Sequence, residues 1–252
     1  MWVGFRPGRS SGSTQTLECA GLSVRFGGVL AVDSVDLRVS RGEIQGLIGP
    51  NGAGKTSLMN ALAGLIQPTA GRVFLEGADI TGLSPSRLAR RGVARTFQDV
   101  RLFRGLTVRE NLEAGAVGVG ATRREARARA VLLLEEARLA EKSDWPAAAL
   151  SYGEEQRLAI ARAVAMNPRF LMLDEPAAGL NEHETDELHE TILGLRATRG
   201  YGVLIVEHDM RLMMKLCDKL HVLDNGRTLC VGTPEVVRTD ERVLAAYLGR
   251  AA

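Results

Sequence analysis

The sequence predicts an α/β fold with a mainly parallel sheet, and three observations predict it. Short apolar runs of strand length, Ile44–Ile48, Phe170–Leu173 and Gly202–Val206, alternate with longer segments of helical pattern. The first of these runs ends in a glycine-rich turn that opens a helix. A helical stretch between about Thr107 and Met166 breaks the alternation and reads as an insertion into the core.

Element by element, residues 1–16 are rich in Gly, Ser and Arg, lack periodicity and read as a loose tail, so structure is expected from about Leu17. Leu22–Phe26 and Val35–Val39 alternate apolar and polar residues, as half-buried strands do. Ile44–Ile48 is a strand, Ser57–Leu65 a helix, Val73–Leu75 a strand and Pro85–Arg91 a short helix. Thr122–Lys142 is a charged helical stretch with Leu132, Leu133, Leu134 and Leu139 on its buried side. Ser151–Met166 is a second helix, stopped by Asn167-Pro168. Then follow strand Phe170–Leu173, helix Glu182–Arg199, buried strand Gly202–Val206 and helix Met210–Leu216. A hairpin, Leu220–Val231, turns at Asn225-Gly226.

Composition excludes several classes. The 252 residues carry 32 basic and 30 acidic side chains and are 45% hydrophobic, which argues against a disordered chain and against one whose main partner is nucleic acid. No apolar run approaches the ~18–20 residues of a membrane span. The three cysteines, Cys19, Cys217 and Cys230, show neither a disulfide framework nor a zinc spacing, so a reducing compartment is expected. No long apolar region follows Arg6 and Arg9, so no secretory signal is expected.

The strongest motif is Gly49-Pro50-Asn51-Gly52-Ala53-Gly54-Lys55-Thr56, which fits G-x-x-x-x-G-K-[ST] with a strand before it and a helix after it. Glycines let successive backbone N–H groups turn inward, and with the helix N-terminus they form a cradle for polyphosphate. Lys55 would place a compact charge between the β- and γ-phosphates, and the Thr56 hydroxyl suits Mg²⁺, a hard ion. The second motif puts two acids, Asp174 and Glu175, at the C-terminal end of the apolar strand Phe170–Leu173, where α/β sheets bind ligands. Asp174 would hold Mg²⁺ through a water, and Glu175 would orient or deprotonate an attacking water. Between them, Leu150-Ser151-Tyr152-Gly153-Glu154 opens a helix and offers a further anion site.

Taken in this order, the motifs resemble the nucleotide-binding subunits of ABC transporters, and the resemblance runs from about Leu17 to Gly249. Phe26 matches the aromatic that stacks on adenine. Gln98, in Arg95-Thr96-Phe97-Gln98, matches the glutamine that touches Mg²⁺ and links to the membrane subunit. Ser151-Tyr152-Gly153-Glu154 matches the family signature, Ala178-Gly179-Leu180-Asn181 the loop after the second acidic motif, and His208 the switch histidine at the γ-phosphate. Gly27-Gly28, Arg101-Leu102-Phe103, Glu110-Asn111-Leu112, Glu207-His208-Asp209-Met210 and the tail Ala246-Tyr247-Leu248-Gly249 resemble the branch that serves branched-chain amino acid importers.

The resemblance implies a P-loop NTPase core with a mainly parallel sheet and an N-terminal antiparallel β-subdomain. A helical subdomain at about 107–166 would be inserted into an ATPase domain spanning 17–252. It implies ATP held by Phe26, by Gly49, Pro50, Asn51, Gly52, Ala53, Gly54, Lys55, Thr56 and Ser57, by Gln98, and by Ser151, Gly153 and Glu154. Mg²⁺ would sit at Thr56, Gln98 and Asp174, and Glu175, His208 and Lys55 would be catalytic. The implied partners are a second ATPase subunit head to tail (the same chain or a paralogue), membrane permeases and, indirectly, a solute-binding protein. The implied location is the cytoplasmic face of the inner membrane. Tyr152, Glu154 and Asn181 depart from the commoner Gly, Gln and Asp. Export of lipopolysaccharide or lipid, and import of urea, amides or small carboxylates, stand as alternatives. ABC ATPases that act on DNA or ribosomes carry coiled-coil insertions or tandem nucleotide domains, which this chain lacks.

Overall fold

The computed structural model describes residues 15–248. The predicted tail therefore lies outside the described residues, apart from its last two; of these, Thr16 already opens a strand and pairs with Ser40. Two sheets form the frame. Strands β1 (Thr16–Phe26), β2 (Val29–Ser40), β4 (Ala70–Leu75) and β5 (Ala78–Asp79) make an antiparallel sheet in the order β2-β1-β4-β5. Strands β3 (Ile44–Ile48), β6 (Val93–Arg95), β7 (Phe170–Asp174), β8 (Gly202–Val206), β9 (Lys219–Asp224) and β10 (Arg227–Gly232) make the second, in the order β10-β9-β3-β8-β7-β6. It is parallel throughout except for the β9–β10 hairpin at its edge.

The second sheet is covered on both faces, which is why β3, β7 and β8 are wholly buried and read as continuous apolar runs. Side chains alternate between two cores. Phe170, Met172, Leu204 and Val206 join the core shared with the antiparallel sheet and helix α1 (Lys55–Leu62). Leu171, Leu173, Val203 and Ile205 face the core built by helices α3 (Val108–Gly118), α4 (Arg123–Glu136), α5 (Tyr152–Ala165), α6 (Glu182–Arg199) and α7 (Met210–Leu216). Helix α2 (Pro85–Arg90) precedes β6, and helices α8 (Pro234–Thr239) and α9 (Glu241–Leu248) follow β10. Helices α3, α4 and α5 lie in sequence between β6 and β7, which are adjacent parallel strands.

Some expectations need correction. The predicted helix Thr122–Lys142 ends at Glu136: Arg138 takes a left-handed φ of 55°, and the chain continues as a 3-10 turn, Ala140–Lys142. Leu132, expected on the buried side, is 63% exposed, because three successive residues at 100° spacing cannot share one face; Leu133 and Leu134 take it. Helix α3 lies inside the stretch predicted to be helical, but the sequence pattern gives it no bounds of its own, since Gly115 and Gly118 weaken helical propensity. Gly115 is needed there: a Cβ would lie 2.6 Å from the Arg162 carbonyl oxygen of α5. A Thr107…Glu110 capping box starts the helix and was the legible signal.

Candidate nucleotide site

The glycine-rich turn leaves β3 and enters α1 with backbone that only glycine adopts easily. Gly49, Gly52 and Gly54 have φ of 151°, 80° and 100°. A Cβ on Gly49 would meet the Leu223 carbonyl oxygen at 2.2 Å, and one on Gly54 would meet that of Ala31 at 2.3 Å. The loop is thus pressed against β9 and β2. The hairpin turn secures it, since Gly226 N–H donates to the Ala53 carbonyl at 3.0 Å. Lys55 is buried, and its Nζ donates to the carbonyls of Gly49 at 2.7 Å and Pro50 at 3.1 Å. Burial lowers its pKa, and the charges of Glu175 and Asp174 oppose that shift. The first N–H groups of α1, from Lys55, Thr56 and Ser57, have no acceptors within the helix and end at this loop.

Asp174 ends β7 beside this loop. Its Oδ2 lies 2.7 Å from Arg95 of β6, the two side chains being 6% and 8% exposed, and Arg95 also donates to Asn60 Oδ1 of α1 at 2.7 Å. Arg95 thus ties the phosphate-loop helix to the acid. In the sequence Arg95 stands out only as a neighbour of Gln98; strand β6, which the pattern does not predict, is what aims it.

Glu175 takes a left-handed φ of 48°, with its N–H donating to the Val206 carbonyl at 2.9 Å. Both carboxylate oxygens are engaged. Gln98 Nε2 donates to Oε2 at 2.8 Å, and His208 Nε2 lies 2.6 Å from Oε1. The structure therefore brings Gln98, Glu175 and His208 together from three separate loops. Phe26, at the β1–β2 turn, is 51% exposed and joins none of these bonds.

The start of α5 is arranged separately. Ser151 is its N-cap, its Oγ accepting from Glu154 N–H at 3.4 Å while Glu154 Oε2 accepts from Ser151 N–H at 3.0 Å. Glu154 also pairs with Lys142 of the 3-10 turn Ala140–Lys142, so the extra acid is neutralised by a neighbouring turn. These hydrogen bonds hold its carboxyl below the usual range, against the opposing effect of burial. Tyr152 packs on Gly179, where an added Cβ would lie 3.0 Å from the ring, and its hydroxyl accepts from Gln156 at 3.1 Å. Asn181 caps α6 with Glu184, whose carboxylate lies against Gly153. None of these contacts of Ser151, Gly153 and Glu154 reaches the phosphate loop.

A loop that turns backbone donors inward, a buried lysine and two consecutive acids at the C-terminal end of a buried parallel strand define a P-loop nucleotide-hydrolysing protein. A model for ABC transporters matches residues 32–178, and one for the branched-chain amino acid ATP-binding cassette transporter matches residues 227–252. The high-affinity branched-chain amino acid transport ATP-binding protein BraF of Pseudomonas aeruginosa is 46% identical over 95% of this chain and 100% of its own length. The lipopolysaccharide export system ATP-binding protein LptB of Haemophilus influenzae is 40% identical over 86% of this chain and 90% of its own. The crystal structure of the ADP conformation of MJ1267, an ATP-binding cassette of an ABC transporter, superposes with a TM-score of 0.84 at 31% identity, covering 93% of this chain and 98% of that one. The chain belongs to the ABC transporter family, as an ATP-binding, ATP-hydrolysing subunit. Among the described residues no helix is long and apolar enough to cross a membrane.

Proposed function

We propose that this subunit powers uptake of branched-chain or related amino acids through separate membrane permeases, from the cytoplasmic face of the membrane. The likeness to BraF along the whole chain, together with the C-terminal match over residues 227–252, supports this cargo over lipopolysaccharide export.

For hydrolysis, the observation that carries the reading is the Glu175 carboxylate, held between His208 and Gln98 beside the phosphate loop. Phe26 stacks on adenine, and residues 49–57 take the phosphates. Glu175 orients the attacking water or takes its proton, and the water oxygen displaces ADP from the γ-phosphorus. Lys55 and His208 stabilise the charge on the transferred phosphoryl group. The donor set Thr56, Asp174 and Gln98 (a hydroxyl, a carboxylate and an amide) suits Mg²⁺, which when bound would neutralise phosphate charge.

The contacts of Ser151 and Gly153 lie with Glu154 and Glu184 and none is with their own phosphate loop, so they serve the nucleotide of a second subunit placed head to tail. ATP between the two subunits then drives closure. Residues 107–166 act as a helical subdomain within a domain from 17 to 252. A cavity of about 520 Å³ lies beside this segment, lined by Phe97, Arg101, Phe103, Gly115, Ala159 and Met166 among others, with Leu65 and Phe103 exposed at it. It suits an apolar helix of the permease, so that Gln98–Leu112 passes motion to the membrane.

The test is to copurify the chain with its permeases, reconstitute them in vesicles with the solute-binding protein, and measure ATP hydrolysis. Leucine, isoleucine or valine should stimulate turnover. Stimulation only by urea, an amide or a carboxylate would replace the cargo, and stimulation only by lipopolysaccharide would replace the direction.

A further inference from the structure

We infer that Glu207 is a positioning residue for ATP hydrolysis, locking the loop that follows Glu175 to the backbone of His208. The inference rests on the reading of Glu175 and His208 as the hydrolytic pair.

Glu207 directly follows β8 and is 5% exposed. Its two carboxylate oxygens accept one backbone N–H from each of two loops. Oε1 accepts from Ala177 at 2.6 Å and Oε2 from His208 at 3.1 Å. The links close a ring. Ala177 lies two residues after Glu175, Glu207 joins it to His208, and the His208 ring returns to Glu175 Oε1 at 2.6 Å.

Two features argue that this ring is more than packing. Glu175 holds a left-handed backbone, which for a residue with a Cβ costs about 1–3 kcal/mol and persists only where its surroundings enforce it. The Val206 carbonyl fixes the Glu175 N–H, and Glu207 fixes the next turn of chain. In addition, no lysine or arginine pairs with Glu207 among the described residues. Burial pushes its carboxyl up, while the two N–H groups pull against that shift. A buried carboxylate without a cation is unfavourable, and an apolar residue would continue strand β8 without that cost. What the carboxylate alone provides is simultaneous acceptance from the two loops that carry the hydrolytic pair.

The experiment measures ATP turnover, ATP affinity and melting temperature for the full chain assembled with its permeases, in Glu207→Gln, His208→Ala and the double variant. Glutamine keeps the shape but sets an NH₂ group against one of the two N–H donors. Misplacing the pair should lower kcat by about 10- to 100-fold while KM for ATP stays within about twofold. In the His208→Ala background the same change should cost less than about twofold more, because the group being positioned has gone. A normal kcat in Glu207→Gln beside a crippled His208→Ala overturns the inference alone. So do losses that multiply in the double variant, or a kcat that falls only in proportion to lost folded protein. Wild-type turnover in His208→Ala overturns the reading of the pair itself, and the inference with it. Should Glu207→Gln fold poorly, Glu207→Asp, which keeps the charge but shortens the reach, is read by the same criteria.

Discussion

The phosphate-loop end of the molecule and the start of α5 are built differently. At the loop, polar groups bind across elements: Lys55 to the loop carbonyls, Arg95 to Asp174 and Asn60, Glu175 to Gln98 and His208. Those partners come from α1, β6, β7 and the loops after β6 and β8, so the geometry is a product of the whole fold. At α5, Ser151 and Glu154 satisfy each other within one turn, and Lys142 takes the remaining charge. The first region is tied together across the fold; the second satisfies its polar groups locally, within the helix start and the 3-10 turn before it. The head-to-tail pairing proposed above treats these two ends as halves of one site.

The sharpest way to break this contrast is Glu175→Gln. Losing a group that orients or deprotonates water should lower hydrolysis by about 10²- to 10⁴-fold, with ATP binding kept. Phosphate release and binding of a fluorescent ATP analogue measure the two, and near-normal release would remove Glu175 from the site. Next comes Arg95→Met. It leaves Asp174 buried without its cation, which should destabilise the fold by about 3–5 kcal/mol in denaturant titration. A change under about 1 kcal/mol would mean that the cross-element network contributes little.

How much of this was legible in the sequence follows the same division. The motifs at strand ends were readable because glycine, lysine and carboxylate at fixed spacing have few other reasons to coincide. The buried strands were readable because both faces of the central sheet are covered. Arg95 and Glu207 were not, because their value lies in partners 79 and 30 residues distant that only the sheet order brings near. Strand β6, three residues long and seated at the sheet edge, carries too little pattern to be recognised alone. The glycines of α3 blur its bounds within the predicted helical stretch, yet its capping box repeats at α4, α5 and α6, where Thr122…Glu125, Ser151…Glu154 and Asn181…Glu184 do the same work. Asn181, a departure when read as a motif position, is a sound N-cap.

A smaller effect comes from the buried side of the contrast. His221 of β9 pairs in register with Leu47 of β3, two residues before Gly49, and burial pushes its pKa from 6.5 to about 4. The unfolded chain binds a proton below 6.5 and the folded chain does not until about 4, so stability is full above pH 6.5 and falls as pH falls. The loss over that window should be about 3 kcal/mol at most. His221→Gln should flatten it, and an unchanged pH profile of unfolding in that variant would place the acid sensitivity elsewhere.

The smallest expected effect separates the two tasks assigned to Ser151. As an N-cap it contributes about 1 kcal/mol, and Ser151→Ala should lose that in thermal unfolding. Aspartate caps a helix as well as serine does, so Ser151→Asp should keep stability within about 0.5 kcal/mol. A carboxylate facing the triphosphate of a second subunit is repelled by it, however. Ser151→Asp should therefore keep one-chain ATP binding and lose the ATP-dependent dimer that Glu175→Gln otherwise accumulates, as read by light scattering of the double variant. If Ser151→Asp forms that dimer as readily as serine does, the start of α5 is only a helix cap, and the two ends of the molecule are not halves of one site.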